Sequence, residues 1–301
     1  MKKINNKTWY FKKNRYYSYI LFPEYTFMII DGRSIANIFL LELKDKIEKL
    51  SKKPKLCVIL VGENPASLSY IKQKERSALL TGIDFELRQL GVDTTEKELI
   101  TLIQEINTDS SIHGLIVQLP LPKHIEANKI IEAIDPQKDV DGFTSQNIGK
   151  LFLGTTDLIS CTPKGIMRLL ETENIQIDGQ NIVVIGKSNI VGKPLSLLLM
   201  NAGGTVTVCN KETKNIGEFT KNADIIIVAA GSPGLLKKEM VRPGVTIIDV
   251  GFTLVDGKIL GDADFANLEP TCLITPVPGG VGPMTVAMLM ENTYIATKDQ
   301  I

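Results

Sequence analysis

Apolar positions along the chain alternate between two patterns: short unbroken runs and stretches spaced at the helical repeat. Residues 33–51 set Ile35, Ile38, Phe39, Leu43, Ile47 and Leu50 on one face of an amphipathic helix. Leu56 to Val61 is an unbroken apolar run closed by Gly62, the pattern of a buried strand. A helix over 66–80 follows, with Gly82 as its stop, then a strand over 85–90, a helix over 97–107 and a strand over 114–118. A short helical piece at 129–134 leads into the polar turn 135–142. Beyond it, Thr162-Pro163 opens a helix over 164–173, since proline in a first turn forfeits only an amide that lacks a partner there. Strands at 181–185, 205–209, 224–229 and 245–250, with a helix at 194–201, form a compact unit of Rossmann type. A last helix, 283–296, follows a Pro/Gly-rich loop and is placed to cross back to the first unit. The alternation predicts an α/β fold of two domains, 28–145 with 276–301 and 146–275.

Composition narrows the classes of function. Lys+Arg and Asp+Glu both number 34, so no net field draws the chain to nucleic acid or to an anionic membrane. No segment reaches the roughly 18 consecutive apolar residues of a spanning helix. Cys57, Cys161, Cys209 and Cys272 stand far apart, and the two histidines are His113 and His124. That spacing argues against a metal site or a disulfide framework and suits a reducing, cytoplasmic setting. Residues 1–27 carry six basic residues against the single acid Glu24 and are crowded with Tyr and Phe. They lack an apolar h-region and a small-residue cleavage site, so they read as a disordered or accessory extension, with Met28 as the true beginning.

Two regions carry candidate chemistry. From Asn181 to Pro194 the chain runs strand, glycine turn, helix, with Gly186 and Gly192 six residues apart. Such a turn lets backbone amides and a helix N-terminus approach a pyrophosphate. The spacing departs from G-x-G-x-x-G and also from the P-loop, and Pro194 stands where a P-loop needs Ser or Thr for magnesium, which argues against an ATPase. The loop alone leaves two readings open, a dinucleotide site and a plain strand-to-helix turn. The strand 205–209 ends in Asn210-Lys211 rather than in an acid that would hold ribose hydroxyls and repel a 2′-phosphate. With Lys187, Ser188 and Lys211 nearby, NADP is favoured over NAD, unless these lysines are merely solvated.

In the first unit, Tyr70 and Lys74 stand at i and i+4 on one helical face, while Lys72 and Arg76 point elsewhere. A ring and an amine on one face can stack a flat heterocycle and handle its protons, and burial would lower the lysine's pKa; by spacing alone, a surface helix with an exposed Tyr and Lys is the favoured reading. Gln118 ends a strand just before Leu119-Pro-Leu-Pro122. Asp139 and Asp141 share one turn, as turn formers or as ligand contacts.

Taken together, six runs resemble the bifunctional methylenetetrahydrofolate dehydrogenase/methenyltetrahydrofolate cyclohydrolase family. They are Val61 to Lys74, Val117 to Pro122, Lys138 to Phe143, Cys161 to Gly165, Gly186 to Pro194 and Ile274 to Thr285, in the family's order across nearly all of 28–297. The resemblance implies an N-terminal folate domain and an NADP domain. It implies oxidation of 5,10-methylenetetrahydrofolate and hydrolysis of the methenyl product to 10-formyltetrahydrofolate, in the one-carbon metabolism that serves purine biosynthesis. Carried over by position, Lys74 would be the catalytic lysine, Gln118 its hydrogen-bond partner, Tyr70 the ring that stacks on folate and Asp141 the pterin ligand. Pro278, Gly279, Gly280 and Pro283 would close the folate site. Gly186, Lys187, Ser188, Ile190, Gly192, Lys211 and Thr253 would hold NADP; no metal is implied, and a homodimer joined through the nucleotide domains is. Three departures concern cofactor preference: Gly-Arg-Ser is Gly186-Lys-Ser188, a histidine is Asn210, and Asp-Val-Gly-Ile-Asn is Asp249-Val-Gly-Phe-Thr253. Lysine keeps the charge there but loses the fork that grips phosphate.

Overall fold

A computed structural model describes residues 29–301, so the reading of 1–27 lies outside the described residues. Helix α1 (Gly32–Ile47) is capped by Asp31, whose carboxylate accepts from the Ser34 amide. It leads to β1 (Lys55–Val61), α2 (Pro65–Thr81), β2 (Asp84–Leu90), α3 (Glu96–Thr108) and β3 (Gly114–Val117). The three strands form a parallel sheet in the order β2-β1-β3. β1 is central and has helices over both faces, which is why Leu56 to Val61 needs no polar alternation. Gly82 has φ +83°, the left-handed stop after α2. At α3, Thr95 and Glu98 form a reciprocal capping box.

α4 (Ala127–Glu132), α5 (Ser145–Phe152) and α6 (Cys161–Thr172) link to the second sheet. There β4 (Asn181–Ile185), α7 (Gly192–Asn201), β5 (Thr205–Cys209), α8 (Ile216–Thr220), β6 (Ile225–Val228) and β7 (Thr246–Asp249) are followed by the hairpin β8 (Thr253–Val255) and β9 (Lys258–Leu260). α9 (Phe265–Leu268), β10 (Leu273–Ile274) and α10 (Val281–Gln300) complete the chain. The second sheet is parallel, in the order β10-β7-β6-β4-β5. It therefore gains a fifth strand from a two-residue segment too short to show a period.

Helix starts differ from expectation by up to three residues: α4 begins at Ala127 rather than 129 and α7 at Gly192 rather than 194. α6 begins at Cys161 rather than 164, with Ser160 as N-cap and Pro163 inside the first turn. α10 begins at Val281 rather than 283, because Gly282 and Pro283 occupy its first turn, where neither interrupts an internal hydrogen bond. One core cluster joins Leu40 and Leu43 of α1, Leu169 of α6, Ile182 of β4, Leu199 of α7 and Met288 of α10. α6 and α10 thus share one core with strands of both sheets. Among the described residues no helix is long and apolar enough to cross a membrane.

Candidate active site

β1 and β3 are neighbours, and α2 follows β1, so Lys74 of α2 meets the residue just past β3. Its Nζ donates to Gln118 Oε1 at 2.9 Å. Gln118 is oriented from two sides: its backbone amide donates to Ile59 O at 2.8 Å and its side-chain Nε2 to Leu119 O at 2.7 Å. With the amide nitrogen so committed, the amide oxygen is left to face the lysine. Lys74 is half-buried.

The turn 138–142 separates its two acids. Asp139, 1% exposed, is consumed by structure: it accepts from the amides of Gly142 and Thr144 and from Asn147 Nδ2, at 2.8–3.0 Å. Asp141 is half-buried, and among the described residues its side chain accepts from the Cys161 thiol at 3.9 Å. Burial pushes the Asp141 carboxyl above the usual carboxylate range, the Lys74 charge pulls it back, and Asp139 adds to the rise. A carboxylate short of donors beside an ammonium can receive two N–H groups of a heterocycle.

The backbone presenting Asp141 is buttressed from α6 and α10. The Asn292 side chain donates to Val140 O at 2.8 Å and Ile159 O at 2.7 Å. It accepts in turn from Lys164 Nζ at 2.8 Å, which also pairs with Glu291 at 3.0 Å. Cys161 donates to Val140 O, and burial beside Asp141 pushes its thiol well up, so it stays neutral. Sequence reasoning matched the Cys161 to Gly165 run without giving it a role, and nothing pointed to Asn292. Replacing Asn292 with Leu removes the side-chain donor to Ile159 O and one partner each from Val140 O and Lys164, which keep Cys161 and Glu291, so a loss of about 1–3 kcal/mol in unfolding free energy is expected in a denaturant titration.

Tyr70 lies half-buried one turn before Lys74, and desolvation raises its phenol. Its ring meets that of Phe252 at a centroid distance of 5.5 Å with an interplanar angle of 56°. This contact crosses from the first unit to the second. Sequence reasoning noted Phe252 only as a departure bearing on cofactor preference.

The nucleotide-type loop is built for close backbone approach. Gly186 has φ +135°, and a Cβ there would meet Ala229 O at 2.2 Å; at Gly192 a Cβ would meet Gly186 O at 2.0 Å. Ser188 Oγ accepts from the amides of Val191 and Gly192 at the start of α7. Lys187 and Ile190 are exposed, and Lys211 is exposed beside Glu212, with Nζ 3.6 Å from its carboxylate. Thr253 opens β8 just after Phe252. This cradle, which any side chain at 186 or 192 would fill, fits a pyrophosphate lying over the N-terminus of α7.

In the loop 276–283, Gly279 O accepts from the Arg33 amide at 2.8 Å, and Gly280 packs under α1, where a Cβ on Gly32 would strike its carbonyl. Pro278 is exposed, while Gly279 and Pro283 are half-buried. Two surface hollows of about 440 and 410 Å³ lie elsewhere, and neither is lined by Lys74, Gln118 or Asp141. Among the described residues no group of three His, Cys, Asp or Glu side chains is placed to hold a metal ion.

Family models bear on both units. That for the catalytic domain of tetrahydrofolate dehydrogenase/cyclohydrolase matches residues 30–141, and that for its NAD(P)-binding domain matches 160–301. The bifunctional protein FolD of Exiguobacterium sibiricum is 48% identical over 275 residues, 90% of this chain and 99% of that protein. The crystal structure of the bifunctional FolD dehydrogenase/cyclohydrolase from Campylobacter jejuni superposes with a TM-score of 0.89 at 46% identity, covering 91% of this chain and 99% of that one. The Trypanosoma brucei dehydrogenase-cyclohydrolase, solved with NADP and an inhibitor, gives 0.85 at 33% identity, covering 90% and 97%.

Proposed function

The chain belongs to the tetrahydrofolate dehydrogenase/cyclohydrolase family, and from that premise we propose how its own residues perform both reactions. The enzyme oxidises 5,10-methylenetetrahydrofolate with NADP and hydrolyses the methenyl product to 10-formyltetrahydrofolate. The observation that carries the reading is the oriented Lys74–Gln118 pair, 2.9 Å apart, whose ammonium charge acts on the donor-poor Asp141 carboxyl. Residues 28–145 with 276–301 form the folate domain and 146–275 the nucleotide domain, with Pro278, Gly279, Gly280 and Pro283 closing the folate side.

Asp141 receives the pterin's exocyclic amine and ring N–H, and Tyr70 stacks on the ring. Gly186, Lys187, Ser188, Ile190, Gly192, Lys211 and Thr253 hold the dinucleotide, which when bound accepts the hydride of the bridging methylene. The protein's part in that step is alignment, because the two folate nitrogens stabilise the developing cation. Hydrolysis needs proton handling. Lys74 acts in its neutral amine form and takes a proton from the water that attacks the methenyl carbon; as the bond from that carbon to N5 breaks, N5 takes the remaining hydroxyl proton, and the proton held by Lys74 leaves to solvent and is the one proton released. Gln118 holds the amine in line. Purified protein given 5,10-methylenetetrahydrofolate should reduce NADP, and no reduction with NADP or NAD would refute the dehydrogenase reading.

Lys187→Ala tests the cofactor choice. Removing a cation from the 2′-phosphate should weaken NADP binding about tenfold and change NAD binding less than about twofold. Equal losses for both by calorimetry would assign Lys187 to the shared pyrophosphate instead.

Asp141 gives a pH signature. Only its ionised form accepts two N–H groups, and its pKa is raised. The folate KM should therefore rise as pH falls through that raised pKa, at higher pH than an ordinary aspartate would allow. In Asp141→Asn the KM should be high and flat with pH; a profile that survives the substitution would remove Asp141 from pterin binding.

We also place a homodimer at the nucleotide domains and the protein in the cytoplasm. β5 is the edge of its sheet, with Val208 41% exposed, and Met200 of the neighbouring α7 is 48% exposed.

A further inference from the structure

Phe252 is half exposed, yet its ring carries a contact from the second unit to Tyr70 on the proposed folate face. Its backbone is held rigidly. The buried Asp249 carboxylate accepts from the amides of Gly251, Asp262 and Ala263 at 2.8–2.9 Å, and a Cβ on Gly251 would meet the Asp262 amide at 2.3 Å. These contacts anchor the backbone next to Phe252 and leave its ring to move by side-chain rotation.

With centroids 5.5 Å apart and planes inclined by 56°, the rings of Tyr70 and Phe252 do not admit a heterocycle between them as they stand. Two faces that sandwich a flat ring need centroids about 7 Å apart, twice the roughly 3.5 Å of carbon contact. A rotation that withdraws Phe252 by about 1.5 Å and flattens it against the incoming ring meets that requirement.

We propose that Phe252 is the nucleotide domain's contribution to the folate site: with Tyr70 it forms a two-sided aromatic clamp on the flat ring of the substrate. The inference rests on the reading of Tyr70 as the folate-stacking ring. The position is one where the family's common run has an isoleucine, so the clamp is a property of this chain's own sequence. It also explains why a large apolar ring is kept half in water, where it costs solubility and adds little to the core.

The test measures hydrolysis of 5,10-methenyltetrahydrofolate without dinucleotide, together with calorimetric binding of tetrahydrofolate. Phe252→Ala should raise both KM and the tetrahydrofolate Kd about three- to tenfold, the scale of one aromatic stack, with kcat within about twofold and Tm nearly unchanged. Phe252→Tyr should restore both values, and Phe252→Leu, which keeps bulk without a π face, should fall between. Unchanged or tighter folate binding in Phe252→Ala would overturn the clamp, as would a loss confined to NADP affinity. Failure of wild-type protein to hydrolyse the substrate would instead count against the proposed function, while the binding comparison would still judge the clamp.

Discussion

Replacing Lys74 with methionine is expected to slow hydrolysis of methenyltetrahydrofolate by about a hundredfold to ten-thousandfold, the span of general acid–base catalysis. Methionine keeps the length and apolar stem of the side chain and removes the amine. The fold should survive, because Gln118 stays anchored through Ile59 O and Leu119 O, and only its oxygen loses a partner, at a half-buried position open to water. That loss is about 1 kcal/mol. Hydride transfer depends on alignment rather than on proton movement, so NADP reduction should fall far less, within about tenfold. A second consequence has a defined sign. The Lys74 charge is what pulls the Asp141 carboxyl down, so its removal lets that carboxyl rise further, and the pH at which folate binding weakens should move upward. Wild-type hydrolysis by a folded Lys74→Met protein would remove the lysine from the mechanism.

Gly192→Ala should divide the two activities in the opposite direction. Alanine is the better helix former, so propensity alone predicts a gain. Space forbids it: the added Cβ would lie 2.0 Å from Gly186 O and 2.6 Å from Gly186 C, both backbone atoms. The glycine turn must open to admit the methyl group, which costs about 1–3 kcal/mol of stability and spoils the cradle. Dinucleotide affinity and dehydrogenase turnover are expected to fall more than about a hundredfold, through loss of close backbone contacts to the pyrophosphate. Cyclohydrolase activity, built from α2, the end of β3 and the turn 138–142, should stay within about twofold. Calorimetry with NADP beside the hydrolysis assay separates these effects, and dinucleotide binding at wild-type strength would show that the loop is not the cradle.

Much of this fold is legible in the chain itself. Leu56 to Val61 reads as a buried strand because both of its faces are covered, and Tyr70 and Lys74 share a helical face by spacing alone. What spacing does not reveal is which face meets what. Lys74 on a surface helix and Lys74 in a site look alike until β3, some forty residues later, pairs beside β1 and brings Gln118 alongside. Asp139 and Asp141 are likewise equivalent as letters. Only the path of the chain toward α5 commits Asp139 to the Gly142 and Thr144 amides and sets Asp141 beside the Cys161 thiol. β10 is two residues long and has no period to detect. The supports from Asn292 and the meeting of Tyr70 with Phe252 join segments more than 130 residues apart, and no local pattern carries such information.

Whether one site performs both reactions in sequence is tested by a single time course. Purified protein is mixed with 5,10-methylenetetrahydrofolate and NADP, and the absorbance bands of reduced nicotinamide and of the methenyl product are followed together. Reduced NADP should accumulate while the methenyl band rises only briefly and decays faster than in Lys74→Met protein. A methenyl band that persists as long with wild-type protein as with the variant would contradict the account, leaving a dehydrogenase whose Lys74–Gln118 pair does not catalyse hydrolysis.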